Sequence, residues 1–379
     1  MTEADVIVIG GGIAGVSVAA ELSRARRVVL LERETQPAFH ATGRSAALFS
    51  EIYGGPPIRA LSRASRAFFT GPPDGFADAP LVTPRGSLFI ARPDQGAALA
   101  AFAGEADVAG ATRMVSAAEA IRLSPLLRPD YVDAGILEPD SADIDVHGLL
   151  TGYLRLLKAN GGVLVAPAPV TALEPGAAGW RATTPAGAFT APVVINAAGA
   201  WADEVAALAG LRPLGLQPLR RTALTVEAPQ DAAVAAAPLT IDIDEQFYFK
   251  PDAGRLLLSP ADETPNPPCD VQPDEWDVAV AVDRVETATR LQVRRIQAKW
   301  AGLRTFAPDR APVIGFDPRA PGFFWLAGQG GYGIQTAPAN ARLAAALALG
   351  APPPPDIAEA GLDLETVSPA RLAGRAEAD

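Results

Sequence analysis

Apolar residues fall into short runs cut by glycine and proline, and the runs carry two different periods. "ADVIVIGGGIAGVSVAAELSRARRVVLLERE" (4–34) reads as an apolar strand, a glycine turn, a helix of small residues and a second buried strand. That is a βαβ unit at the start of the chain. Helical spacing recurs in "PPIRALSRASRAFF" (56–69) and "PDEWDVAVAVDRVETATRL" (273–291). It recurs again in "ADIDVHGLLTGYLRLLKANGG" (142–162), with Asp residues at its start and glycine beyond its end. "HATGRSAALFSEIYG" (40–54) predicts a loop that opens a helix, and "GPPDGFADAP" (71–80) a break. "GSLFIAR" (86–92) predicts a strand; "PVVINAAGAWADEVAALAG" (192–210) predicts a buried strand turning into a helix. From Gln217 to about Leu258 the pattern is β-rich, and "GFFWLAGQGGYGIQTAPANARLAAALALG" (322–350) closes with strand, turn and long helix. Alternating α/β text at both ends with a β-rich insert predicts a nucleotide domain interrupted by a second domain.

Composition narrows the function classes. At 379 residues and 49% hydrophobic, the chain is long enough for two domains with a large core. A net charge of −11 argues against a nucleic-acid partner, which needs a basic stripe. One cysteine, Cys269, excludes an intrachain disulfide. With only His40 and His147 beside it, no metal-ligand cluster is expected. With a strand read so early no signal peptide is expected, and no run reaches the ~18 apolar residues of a membrane span. The expectation is a soluble, cytoplasmic enzyme.

Gly10, Gly12 and Gly15 make G-x-G-x-x-G between a strand and a helix. The first glycine allows the turn, the second lets backbone approach a pyrophosphate, and the third lets helix pack on strand. The helix start adds N–H groups and a favourable dipole. Glu32, ending the second strand, stands where an acid binds a ribose diol. Such an acid serves NAD and FAD alike. The chain then passes at once to "TGRSAA" (42–47), where Arg44 and Ser45 are placed to meet a second phosphate or a flavin edge. Near the other end, "GQGGYG" (328–333) forms a second glycine-rich turn before a helix, suited to a site where negative charge develops. Two such turns at opposite ends fit a long extended cofactor, and FAD is the better reading.

"TGRSAA", "ASRAFF", "SADIDVHGL", "NAAGAWAD", "GLRPLGLQPLRR", "FYFKPDAG", "VQPDEWD", "WAGLRTF" and "FFWLAGQGGYGIQT" together resemble the D-amino-acid oxidase-like flavoenzymes. The resemblance runs over nearly the whole chain and is nearest to the bacterial D-arginine dehydrogenase branch. It implies an α/β (α+β) fold with a Rossmann-like FAD-binding domain (1–80, 146–216 and 301–379). Interleaved with it is a β-rich substrate-binding domain (81–145 and 217–300). It also implies oxidation of a D-amino acid to an imino acid, by hydride transfer from Cα to flavin N5, and then hydrolysis to a 2-oxo acid. Substrate-carboxylate binding falls on Arg304 and Tyr248, with Arg221 near substrate and flavin, Tyr53 in the active site and the Gly331 carbonyl toward the amine. Around the first turn, cofactor contacts fall on Ile13, Ala14, Arg33, Thr42, Gly43 and Ala46. Further along they fall on Val170, Ala198, Gly199, Trp201 and Gly302. The late turn adds Gly330, Tyr332, Gly333, Ile334 and Gln335.

Two positions depart from the family. Its histidine after "GRSAA" is Leu48, and the glutamate of the D-arginine branch is Ser87. Losing that acid removes a charge-assisted contact of roughly 1.5–3 kcal/mol with a guanidinium substrate. Glu51 would lie about 100° round a helix from Ser50 and so would not replace it. The expected substrate pocket, Leu48, Ser50, Ser87, Leu239 and Ile241, therefore favours neutral or apolar D-amino acids over D-arginine. The alternatives are a secondary amine or glycine-like substrate (sarcosine, glycine, iminodiacetate) or a 2-hydroxy acid on the same fold. The electron acceptor, O₂ or quinone-like, stays open. His40 reads as structural and His147 as a surface or packing residue. Cys269, in the Pro-rich "TPNPPCDVQP", lies away from known flavin attachment points, so FAD is expected to be noncovalent.

Overall fold

The structure, a computed structural model, describes residues 2–373. Residue 1 and the end of the expected cofactor-binding division, 374–379, lie outside the described residues. The opening pattern folds as read: strand Val6–Ile9, helix Ile13–Ser23 and strand Val28–Leu31. They enter a six-stranded sheet in the order Val163–Val165, Val28–Leu31, Val6–Ile9, Val193–Asn196, Phe323–Ala327, Val313–Phe316. All neighbours are parallel except the last pair. Helices on one face and a second sheet on the other bury the central strands, so they are apolar at nearly every position, the buried Asn196 excepted. Val6, Val8, Val28 and Leu30 pack against a helical layer containing Ile13–Ser23, Pro56–Thr70, Val146–Ala159 and Ala337–Ala348. Ile7, Ile9, Val29 and Leu31 face the other way, toward Leu173, Trp180 and Phe189 of a four-stranded sheet.

The β-rich insert forms a second, ten-stranded sheet. Its central members are Ile296–Phe306, Gln217–Glu227, Arg255–Ser259 and Tyr248–Asp252. Period-2 alternation divides its faces. Leu224, Val226 and Leu258 pack with Ala281 and Val285 of helix Glu275–Ala288. Arg221 and Ala223 point oppositely, into a cavity between the two sheets.

Two expected elements differ. Residues 40–54 contain a 3-10 turn, Ala41–Arg44, and a short strand, Leu48–Phe49, and the helix begins only at Pro56. Strand pairing of Leu48 with Asp143 wins over helical spacing there. For the same reason Ala142–Ile144 is strand, and the helix begins at Val146. Asp145 caps it by accepting from the Gly148 N–H at 2.8 Å.

Candidate functional site

A cavity of about 410 Å³ runs between the sheets, from Glu32 and Trp201 at one end to Arg304 and Gly331 at the other. Its first wall is backbone and small side chains. Gly10 has φ +110°, and a Cβ there would lie 2.4 Å from the Ala197 carbonyl oxygen. A Cβ on Gly15 would lie 1.8 Å from the Gly10 carbonyl oxygen, which is close helix–strand packing in physical form. The Glu32 carboxylate, almost fully buried, accepts from Gly11 N at 2.6 Å and Glu34 N at 2.7 Å. A carboxylate has about four acceptor positions, so capacity remains for a ribose diol. Thr42 Oγ1 accepts from Ile13 N at 3.0 Å, closing the first helical N–H with a side chain (a bond the sequence motif does not announce). An extended dinucleotide fits this combination: glycines that no side chain could replace, an acid at one end, and a channel lined continuously to the other.

Of the expected cofactor positions, Gly10, Gly12, Ile13, Ala14, Glu32 and Arg33 line the cavity. So do Thr42, Arg44, Ser45, Ala46, Val170, Ala198, Gly199 and Trp201, and from the far end Gly302, Gly330, Gly333 and Ile334. Gly15, Gly43, Tyr332 and Gln335 stand behind the wall. Gln335 spends its amide on Ser50 N (3.3 Å) and Ser62 Oγ (2.8 Å). Gly43 is glycine because a Cβ would meet the Ala38 carbonyl oxygen at 2.4 Å. Arg44 lines the wall, yet its guanidinium donates to the Val271 and Ala301 carbonyls at 3.0 Å each and pairs with Asp270. His40 also lines the cavity, bonded to Glu34 at 2.9 Å and packed on Trp201, whereas His147 is exposed on its helix. Cys269 is not remote: it lines the cavity mouth beside Val271. The late glycine turn does not feed its helix directly, because turns over 333–336 intervene before Ala337.

At the far end the long sheet supplies the chemistry. Register sets Arg221 opposite Gly302 and Leu219 opposite Arg304, so Arg221, Gly302 and Arg304 share one face. Ala223 and Tyr248 continue it, and all five line the cavity together with Gly331. The Arg304 guanidinium has no acid partner among the described residues; its Nη1 donates only to the Tyr53 hydroxyl, at 3.4 Å. Burial works against its charge, but the Tyr53, Tyr248 and Tyr332 hydroxyls outweigh that and hold its pKa above the ordinary value. Tyr53 stands behind Arg304, edge-on to Tyr332 with ring centroids 4.9 Å apart. A Cβ on Gly331 would lie 2.7 Å from Arg304 Nη1, so glycine there keeps the guanidinium accessible.

The expected side-chain pocket adjoins the cavity at Tyr248, which pairs with Ile241 across the strands and packs in one apolar cluster with Leu48, Leu239 and Ile241. Leu48, Ser50, Ser87, Leu239 and Ile241 do not themselves line the cavity. Ser87 Oγ and Ser141 Oγ are hydrogen-bonded at 2.7 Å, while Leu239 and Ile241 pack with Phe89 and Ile136. Ser50 Oγ donates to Glu138 at 2.8 Å, and the Glu51 carboxylate pairs with Arg66 at 2.6 Å. Sequence reading missed Glu138. Burial pushes its carboxyl up to about 7, against the Ser50 O–H and Glu51 N–H bonds that favour its charge. It missed Glu263 as well, which bridges Arg221 and Arg310. Both pairings join residues tens of positions apart, so no local pattern marks them.

A family model described as FAD dependent oxidoreductase (DAO) matches residues 5–347. Among curated proteins, glycine oxidase of Geobacillus kaustophilus is 25% identical over 359 residues, covering 90% of this chain and 92% of that protein. The mitochondrial dimethylglycine dehydrogenase of Rattus norvegicus is 27% identical over 363 residues, 87% of this chain. The match covers only 41% of that dehydrogenase, so the chain spans less than half the length of this relative. Among solved structures, L-proline dehydrogenase from P. horikoshii aligns with a TM-score of 0.83 at 21% identity, over 98% of both chains. The G. kaustophilus glycine oxidase structure gives 0.81 at 22%, covering 97% of this chain and 98% of its own. These relatives are not specifically D-arginine dehydrogenases, which corrects the narrower resemblance.

Proposed function

The chain belongs to the DAO family of FAD-dependent oxidoreductases, and from that premise we propose that it oxidises the carbon–nitrogen bond of a small amino acid bearing one carboxylate. FAD, when bound, supplies the two-electron acceptor. The observation that carries the reading is Arg304: the one cavity-lining arginine without an acid partner among the described residues, set among tyrosine hydroxyls. A carboxylate satisfies its donor fork, and Tyr248 on the same wall adds a directional donor. Gly302, Gly331 and Gly333 leave room for the rest of a small molecule. Neutral D-amino acids fit this description; so do glycine and N-alkylated glycines, and the glycine oxidase and dimethylglycine dehydrogenase relatives favour that second group. Cys269 reaches the cavity but is not needed to hold the cofactor, which the glycine cradle and Glu32 serve noncovalently.

No aspartate, glutamate or histidine lines the Arg304 end of the cavity among the described residues. The substrate amine therefore reaches the site already neutral, and the chain's part is to orient it and exclude water. Expected outcome: kcat/KM rises with pH along the amine's own ionisation and moves with the amine pKa across substrates. Anaerobic mixing with neutral D-amino acids, their L-isomers, D-arginine, glycine, sarcosine, dimethylglycine, glycerol 3-phosphate and 2-hydroxy acids tests the class. Bleaching of the flavin by the carboxylate-bearing amines is the result expected. Bleaching by glycerol 3-phosphate or hydroxy acids in preference overturns the reading. Acid precipitation should release the yellow colour; colour retained in the pellet overturns noncovalent binding.

A further inference from the structure

Four arginines line the cavity, and three of them are paired: Arg33 with Glu34, Arg44 with Asp270, and Arg221 with Glu263. The third pairing has a consequence for specificity. Arg221 Nε donates to the Asp262 carbonyl at 2.8 Å and Nη2 to Glu263 Oε1 at 3.1 Å. The same Glu263 oxygen accepts from Arg310 Nη2 at 2.8 Å, and the Arg310 guanidinium lies 3.8 Å over the Phe306 ring. Asp262 is itself locked to Thr222 by bonds to its N–H (2.6 Å) and hydroxyl (3.0 Å), so Glu263 is carried on a fixed segment.

We propose that Glu263 is a specificity-determining residue: it occupies Arg221, leaves Arg304 as the single carboxylate anchor, and so turns away substrates with a second acid. This rests on the reading of Arg304 given above. Arg221 and Arg304 are diagonal neighbours on one sheet face, about 7–8 Å apart at the backbone. Two carboxylates of one small molecule can bridge that spacing. Without Glu263 the wall would offer two charged forks side by side, and a dicarboxylate would be the natural ligand. With it, a second acid meets an arginine whose Nε and Nη2 donors are already committed to Asp262 and Glu263.

The test uses flavin-loaded enzyme and two non-reacting probes, propanoate and succinate, with dissociation constants read from the flavin visible spectrum at constant ionic strength. Wild type is expected to bind propanoate more tightly than succinate. E263Q and E263A each raise the succinate-to-propanoate affinity ratio by about ten-fold, the scale of one charge-assisted contact. E263D, which keeps the charge, keeps a ratio closer to wild type. R221Q/E263Q loses the gain. Propanoate binding with a ratio unmoved by E263Q and E263A overturns this inference alone, as does a gain that survives R221Q/E263Q. Neither probe perturbing the wild-type flavin overturns the reading of Arg304 and this inference together.

Discussion

The two ends of the cavity are built by different means. The cradle at Gly10–Gly15 and Glu32 comes from one contiguous βαβ unit, and its working parts are backbone groups and missing side chains. The wall at Arg221, Tyr248, Arg304 and Gly331 comes from distant segments brought onto one face by strand register. Its working parts are a charged fork and hydroxyls. A steric device tolerates no substitution, because a Cβ either fits or does not. An electrostatic device is graded, because each donor contributes a finite share. The cradle should therefore fail all at once and the wall by degrees.

Gly15→Ala is the severest break. Its Cβ would fall 1.8 Å from the Gly10 carbonyl oxygen, and the helix cannot retreat without opening the fully buried contacts of Val16 and Val18. The expected outcome is protein purified without flavin, or insoluble, by absorbance and yield. Arg304→Leu is the matching break in the wall. It should retain flavin yet lose about a hundred-fold in kcat/KM for carboxylate substrates, the scale of a bidentate charged contact. Loss of flavin in R304L, or its retention in G15A, would erase the distinction between the two ends.

The contrast explains what could be read in advance. Gly10, Gly15 and Glu32 sit in one window of sequence, where turn, packing and acid spacing each have a local cause. Arg304 and Tyr248 were reached only through family resemblance, since nothing near them in sequence points to a carboxylate. Ser50 and Ser87 lie off the cavity lining for a related reason. Each looks like a small polar pocket residue, but Glu138 and Ser141 arrive from other strands and take their hydroxyls. Residues 40–54 were misread as opening a helix because the partner of Leu48, Asp143, lies far along the chain.

Glu138 offers a smaller and pH-dependent effect on the segment that carries Tyr53. Burial raises its carboxyl from the ordinary 4.5 to about 7, so the folded state keeps the proton that the unfolded chain releases. This contribution is fully present below pH 4.5 and is lost as pH climbs through 7. A shift of that size corresponds to about 3 kcal/mol at most. Melting temperatures of wild type should show this decline, and E138Q, which cannot ionise, should show a flatter curve over the same range. Parallel curves would mean that the carboxyl is not held in its neutral form.

Tyr53→Phe probes the wall at its weakest member. The hydroxyl accepts from Arg304 Nη1 at 3.4 Å, a long bond, and the ring packs edge-on to Tyr332. Phenylalanine preserves the ring contact and removes only the oxygen. Arg304 then loses its one side-chain acceptor, but a bound carboxylate restores the pairing and softens the loss. A typical hydrogen bond contributes about 1 kcal/mol net, so the expected cost is about five-fold in kcat/KM. If Tyr53 acts only by orienting Arg304, KM carries the change and kcat stays near wild type, with flavin content unaltered. An equal fall in kcat and kcat/KM would instead place the hydroxyl at the reacting centre, and the wall would then contain a member whose contribution appears only in the transition state.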